Sequence, residues 1–180
     1  MTTYISILRG INVSGHNPIK MDALRLMYAA LGFSDIQSYI QSGNVIFRSE
    51  STESKILEKT ITNKILQTFN SNIPVWVLTA VELKTALENN PFVKDTTKDP
   101  SFIHLTFLSE TPNDSLIKQI PSEKFLPDKF SVSGKTIYLY CPNGYGNTKL
   151  SNAFFESKLK LKATSRNLRT ANELLAMSQK

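Results

Sequence analysis

Hydrophobic residues recur along this chain with two periods, and the alternation between them divides it into short strands and helices. From Thr3 to Arg9 (TYISILR) Tyr4, Ser6 and Leu8 alternate with Ile5 and Ile7, a strand that Gly10 breaks. A turn-rich loop with Gly15, Asn17 and Pro18 follows, and Leu24, Met27, Tyr28 and Leu31 then recur at helical spacing. Asp22 suits the first turn of that helix and Gly32 its C-terminal cap. Residues 35–41 and 44–49 form two strands across Ser42-Gly43, a tight hairpin. Leu57, Ile61, Ile65 and Phe69 predict a helix from about Thr52 to Asn70, and Pro74-Val75-Trp76-Val77-Leu78 a strand with proline at its permitted first position. The order is βαββαβ, the ferredoxin-like or split-βαβ pattern.

The pattern then starts again. Thr79-Ala80-Val81-Glu82 is a capping box opening a short helix with Leu83 and Leu87 inward, stopped near Asn89-Asn90-Pro91. The charged run KDTTKDP, residues 94–100, is expected to connect a first subdomain, residues 1–93, to a second, residues 101–180. In the second, FIHLTFL (102–108) reads as a strand, and Thr111-Pro112-Asn113-Asp114 offers an N-cap, a proline at the first helical position and an acid in the first turn. Residues 129–132 and 136–141 pair across Ser133-Gly134-Lys135. A helix is expected over 148–159, and Ser165 or Thr170 would cap a last one carrying Leu168, Ala171, Leu174 and Leu175. The fold class is therefore α+β: a ferredoxin-like βαββαβ subdomain, then a similar βαββα unit with C-terminal helices. The two halves share a pattern of elements and no sequence repeat.

Composition narrows the class further. With 180 residues and 41% apolar content the chain fills a real core. No apolar run approaches the roughly 18 residues of a membrane span, and the N-terminus leads straight into the first strand, so a cytoplasmic protein with no membrane partner is expected. The single cysteine, Cys141, agrees with a reducing compartment and leaves no cysteine-based zinc site. His16 and His104 stand apart from any carboxylate at ligand spacing, so neither metal nor cofactor is expected. The net charge of +6 is uneven. Lys149, Lys158, Lys160, Lys162, Arg166, Arg169 and Lys180 face only Glu156 and Glu173 in the C-terminal segment, a surplus that suits an anionic partner or simply a solvated face.

Two polar sets are the candidate chemistry. Arg9, Asn12, Gln41 and Asn44 come from the end of the first strand and from the hairpin, and would offer a guanidinium fork and amides to a planar acceptor. The bland alternative is that the asparagines satisfy turn backbone. Gly144, Gly146 and Lys149 lie between a strand and a helix, where free N–H groups hold anions, although the spacing is not that of a P-loop. Asn152, Arg166 and Asn167 complete the second set, with Arg166 and Asn167 placed at a helix start. If both sets line one cleft between the subdomains, the site is donor-rich and short of general bases, which favours binding over hydrolysis. The hairpin strand GNVIF lacks the aromatic, small, aromatic order of an RNA-recognition motif.

Four runs carry a resemblance. They are LRGINVSG (8–15), YIQSGNV (39–45), YLYCPNGYG (138–146), and TKLSN (148–152) with Phe155, Glu156, Leu159 and ATSRN (163–167). In these the chain resembles the bacterial domain of unknown function 1697 family over essentially its full length, with Ser14, Asn147 and Leu168 departing from glycine, a basic residue and tryptophan. The resemblance implies a two-part α+β protein of unassigned activity. Three classes of function stay open: a binder of an anionic ligand, either nucleic-acid backbone or a phosphorylated small molecule; an enzyme on a small polar substrate; and a protein-partner module. Oligomeric state is not legible.

Overall fold

A computed structural model describes residues 1–50 and 53–180 and confirms an α+β architecture built on two four-stranded antiparallel sheets. The first half runs β1 (Thr2–Leu8), α1 (Met21–Ala30), β2 (Ser34–Tyr39), β3 (Asn44–Ser49), α2 (Ser54–Phe69) and β4 (Val75–Thr79), followed by α3 (Ala80–Glu88). Its sheet order is β2-β3-β1-β4, the arrangement that the βαββαβ pattern implies. Two differences from the expected bounds are local. The strand before the hairpin ends at Tyr39, so the connection is Ile40 to Gly43, longer than Ser42-Gly43. The expected start of α2 at Thr52 lies outside the described residues, and the helix is described from Ser54.

Register decides which side chains enter the core. On β1, Tyr4, Ser6 and Leu8 face α1 and α2, joined by Val45 and Phe47 of β3 and Val75 and Val77 of β4. Leu24, Met27 and Tyr28 of α1 and Leu57, Ile61 and Ile65 of α2 close this core. Ile5 and Ile7, on the other face of β1, are fully buried too. Ser6 is a fully buried polar side chain at the centre of the core face, and its Oγ lies 2.7 Å from the Tyr28 hydroxyl. That partner matters because an unpaired buried hydroxyl costs about 1–3 kcal/mol. Burial drives the Tyr28 hydroxyl far above the ordinary phenol range, with the Ser6 hydrogen bond opposing it, so Tyr28 stays neutral.

The second half repeats the plan with one element more than its sequence suggests. It comprises β5 (Ile103–Leu108), α4 (Asp114–Lys118), β6 (Lys129–Ser133), β7 (Thr136–Tyr140), α5 (Asn152–Leu159), β8 (Ala163–Asn167) and α6 (Leu168–Ser178). The sheet order β6-β7-β5-β8 is that of the first sheet advanced by four. The expected βαββα unit is therefore βαββαβ, and residues 163–167, expected to lead into a helix, are an edge strand. ATSRN carries no apolar alternation because its inward hydroxyl is held by hydrogen bonds in place of apolar packing. Helix starts also differ. Asn113, not Thr111, caps α4 by accepting from Ser115 N at 2.8 Å. The helix expected over 148–159 begins at Asn152, and Ser151 caps it by accepting from Phe154 N at 3.2 Å. Asn167 caps α6, its Oδ1 accepting from Thr170 N at 2.7 Å, in place of Ser165 or Thr170.

Contacts divide the chain into two compact units, residues 1–84 with 173–180, and residues 85–172. The divisions fall inside α3 and α6, whereas the sequence suggested the charged segment 94–100. The capping box at the start of α3 is present in full: Thr79 N donates to Glu82 Oε2 at 2.7 Å and Glu82 N to Thr79 Oγ1 at 3.1 Å.

Gly43 fixes how the hairpin meets β1. Its φ is +80°, its carbonyl accepts from Leu8 N at 2.8 Å, and an added Cβ would lie 2.8 Å from both Leu8 Cβ and Ile11 Cδ1. Gly15, at φ +78°, has open space around it. Gly43→Ala is expected to destabilise by roughly 2–5 kcal/mol, adding overpacking to left-handed strain, and Gly15→Ala by only about 1–2 kcal/mol. Urea unfolding of the two variants checks this, and equal losses would refute the packing argument.

Candidate functional site

The residues singled out in the sequence fall into two clusters, one in each unit. In the first, the RGIN run and the QSGN run meet. Asn12, in the left-handed region at φ +55°, donates from Nδ2 to the carbonyls of Ile19 and Gln41, both at 2.9 Å, and accepts from Ile19 N at 2.8 Å. Asn17 Nδ2 donates to Gly10 O at 3.0 Å, and Asn12 N to Asn17 O at 3.1 Å. Asn44 is fully buried, its Nδ2 donating to Tyr39 O at 3.1 Å and Ser42 Oγ at 3.0 Å. Both asparagines therefore spend their amides on the loop and hairpin. Arg9 is half-buried at the end of β1, its N–H donating to Pro74 O at 3.1 Å. The Gln41 side chain is exposed, while its carbonyl is held by Asn12.

In the second unit the GYG, TKLSN and ATSRN runs converge on Ser165. Its Oγ lies 2.6 Å from Thr106 Oγ1, accepts from Tyr145 OH at 3.0 Å and donates to Asn152 Oδ1 at 2.7 Å. With its one proton on Asn152, Ser165 accepts from Thr106 as well, and its hydrogen-bonding capacity is used up. Among the described residues no imidazole or carboxylate bonds to it, so the adjacent base that activates a serine nucleophile is not among its partners. The ring of His104 stacks on Tyr145, with centroids 4.5 Å apart and planes 19° from parallel. Sequence reading missed this hub because Thr106, Tyr145 and Ser165 are unremarkable singly and come together only through the β5–β8 register, which sets Thr106 opposite Ser165.

Gly144, at φ +91°, starts a single 3-10 turn over Tyr145–Asn147, and Gly146 is exposed within it. Several amides of this loop bond inward: Gly144 N to Cys141 O, Asn147 N to Gly144 O and Thr148 N to Tyr145 O. Lys149 is exposed. Arg166 donates from Nη1 to Ser165 O at 2.8 Å and to Thr164 Oγ1 at 3.3 Å. Burial pushes its guanidinium down to about 10, with Tyr145 opposing, so it stays charged at neutral pH. Asn167 is the α6 cap already described. Cys141 is fully buried, and burial, with nearby Asp128 adding to it and the Thr148 hydroxyl opposing it, raises its thiol above the ordinary range, which makes it unreactive. Among the described residues no group of three His, Cys, Asp or Glu side chains is placed to hold a metal ion.

The family model described as a protein of unknown function (DUF1697) matches residues 1–138. The chain belongs to this family. Among solved structures, the conserved bacterial protein SP0830 from Streptococcus pneumoniae superposes with a TM-score of 0.75 at 24% identity, covering 98% of each chain, a likeness of fold. No curated protein matches. Among the described residues no helix is long and apolar enough to cross a membrane. The DUF1697 match contains the first cluster and ends in β7, before the Tyr145 and Ser165 runs.

Two outcomes test the structural roles. Asn12→Ala is expected to cost about 2–3 kcal/mol, since it strands several main-chain groups, while Gln41→Ala stays within about 0.5 kcal/mol. Denaturant unfolding reads both, and a neutral Asn12→Ala would return that side chain to ligand binding. The second concerns pH. Burial holds the His104 imidazole below its ordinary value of 6.5, with the Phe102 backbone offsetting part of the effect. The unfolded chain then takes up a proton that the native state refuses, so this contribution is intact above the ordinary value and is lost as pH falls below it. His104→Phe, which keeps the stack on Tyr145, is expected to flatten the fall in stability between about pH 7 and about pH 5.

Proposed function

We propose that this DUF1697 chain is a non-enzymatic binder of an anionic polymer, with a nucleic-acid backbone as the ligand. The observation that supports this reading is the division of labour among its polar residues. The amides of Asn12, Asn44 and Asn167 and the Arg166 guanidinium hold main chain, and the Asn152 amide holds the Ser165 hydroxyl. Lys149, Lys158, Lys160, Lys162 and Arg169 are exposed, and none forms an ion pair among the described residues. Lys158, Lys160 and Lys162 alternate through the turn from α5 into β8, where unpaired ammonium groups raise the local potential. Such groups bind phosphate through counterion release and need no fixed acceptor geometry. A reducing, cytoplasmic setting suits this ligand and the single buried thiol.

The reading is tested by fluorescence anisotropy with a labelled single-stranded oligonucleotide across a salt series. Binding is expected to weaken steeply with salt, the log–log slope falling by about 0.7 for each phosphate contact removed. Replacing Lys158→Gln, Lys160→Asn and Lys162→Gln together is expected to flatten that slope without unfolding the chain. Asparagine is chosen because Lys160 ends α5 at φ +59°, a conformation asparagine tolerates. Salt-independent binding, or a triple variant that binds as before, would overturn the reading.

A further inference from the structure

A second site, independent of the basic segment, is carried by the first unit alone. A hollow of about 470 Å³ lies between the start of α1 and the β2–β3 hairpin, lined by Lys20, Met21, Asp22, Arg25, Ser38, Ile40 and Gln41. Its size is within the range of small-molecule pockets, roughly 300–1,000 Å³. We propose that this hollow binds the carboxylate of a small molecule with a short apolar body.

Arg25 is the anchor. Its Nη1 donates to Ser38 Oγ and its Nη2 to Asp22 Oδ1, so two of the five guanidinium N–H groups fix the plane of the fork. Arg25 lines the hollow, and the three N–H groups that these two bonds leave are of the kind that pair with a carboxylate. Lys20 and Gln41 stand at the same hollow, both exposed, and among the described residues neither the Lys20 ammonium nor the Gln41 amide has a partner. Asp22 is spent on Arg25, and the two cations against one carboxylate leave a surplus of a single positive charge, matched by a monoanion. Met21 and Ile40 supply the apolar wall. Ile40 is 50% exposed and sits at φ +51°, a region that β-branched residues rarely occupy. A hairpin that holds an exposed isoleucine in that conformation beside two unspent polar groups has the form of a ligand clamp.

The experiment is a titration of the full, 15N-labelled chain with butyrate, against chloride at constant ionic strength, followed by NMR at the Arg25 Nε–H and Gln41 side-chain amide signals. Saturating shifts at both are expected in the millimolar range, as a small ligand allows. Lys20→Gln, a change at an exposed position, should weaken binding about tenfold, and Arg25→Gln should abolish it. The replacements at Lys158, Lys160 and Lys162 should leave it unchanged, so this proposal and the polymer reading fail separately. Linear shifts, the same response to chloride, saturation by inorganic phosphate with none by butyrate, or a Lys20→Gln variant that binds as well as the parent each overturn the assignment.

Discussion

A polar group buried beneath a layer of helices has to find its hydrogen bonds inside the protein, and that constraint organises both halves of this chain. Each sheet carries a hydroxyl on its first strand at the centre of its helix-covered face. Ser6 on β1 is answered by Tyr28 from α1, and Thr106 on β5 by Ser165 from β8. The two positions correspond: Ser6 lies opposite Val77 on β4, and Thr106 opposite Ser165 on β8. The side-chain partner of this position thus comes from a helix in one half, where Ser6 Oγ also donates to Val45 O at 3.2 Å, and from the neighbouring edge strand in the other. That difference explains why β4 is apolar and β8 is not.

The parts of this fold that were legible in the sequence are those whose signal is local. The alternation in TYISIL, the four-residue repeat of α2 and the Thr79–Glu82 capping box each depend on residues a few positions apart. β8 was not legible because its place in the sheet depends on Thr106, 59 residues earlier. The asparagines were legible as important and ambiguous as to role. An amide that holds main chain and one that holds a ligand have the same sequence appearance, and only the acceptors around Asn12 separate the two. Gln41 sits beside Asn12 in this respect: its carbonyl is an acceptor in the knot while its side chain lines the hollow.

The polar residues therefore sort by reach. Short amide and hydroxyl side chains are rigid enough to complete hydrogen bonds to main chain at small entropic loss, and they are drawn into the loops. Lysines keep their charge in water while their stems lie along the surface, so they accumulate where the chain has no inward use for them. Families whose short polar runs are structural and whose surface charge is free to vary would retain the fold while shifting what their surface attracts.

The transition from strand to helix at Thr79–Ala80 and again at Asn167–Leu168 has no intervening loop. In both places the last residue of the edge strand is also the helix cap. Strand pairing and helix direction are then one mechanical joint, and the chain has no slack there to absorb a change of length. Adding a single residue at either joint would rotate the following helix by roughly 100° and turn its apolar stripe away from its seat. A change of length at either joint is therefore felt by a whole helix, whereas the loop at Gly15, with open space around it, has room to absorb one.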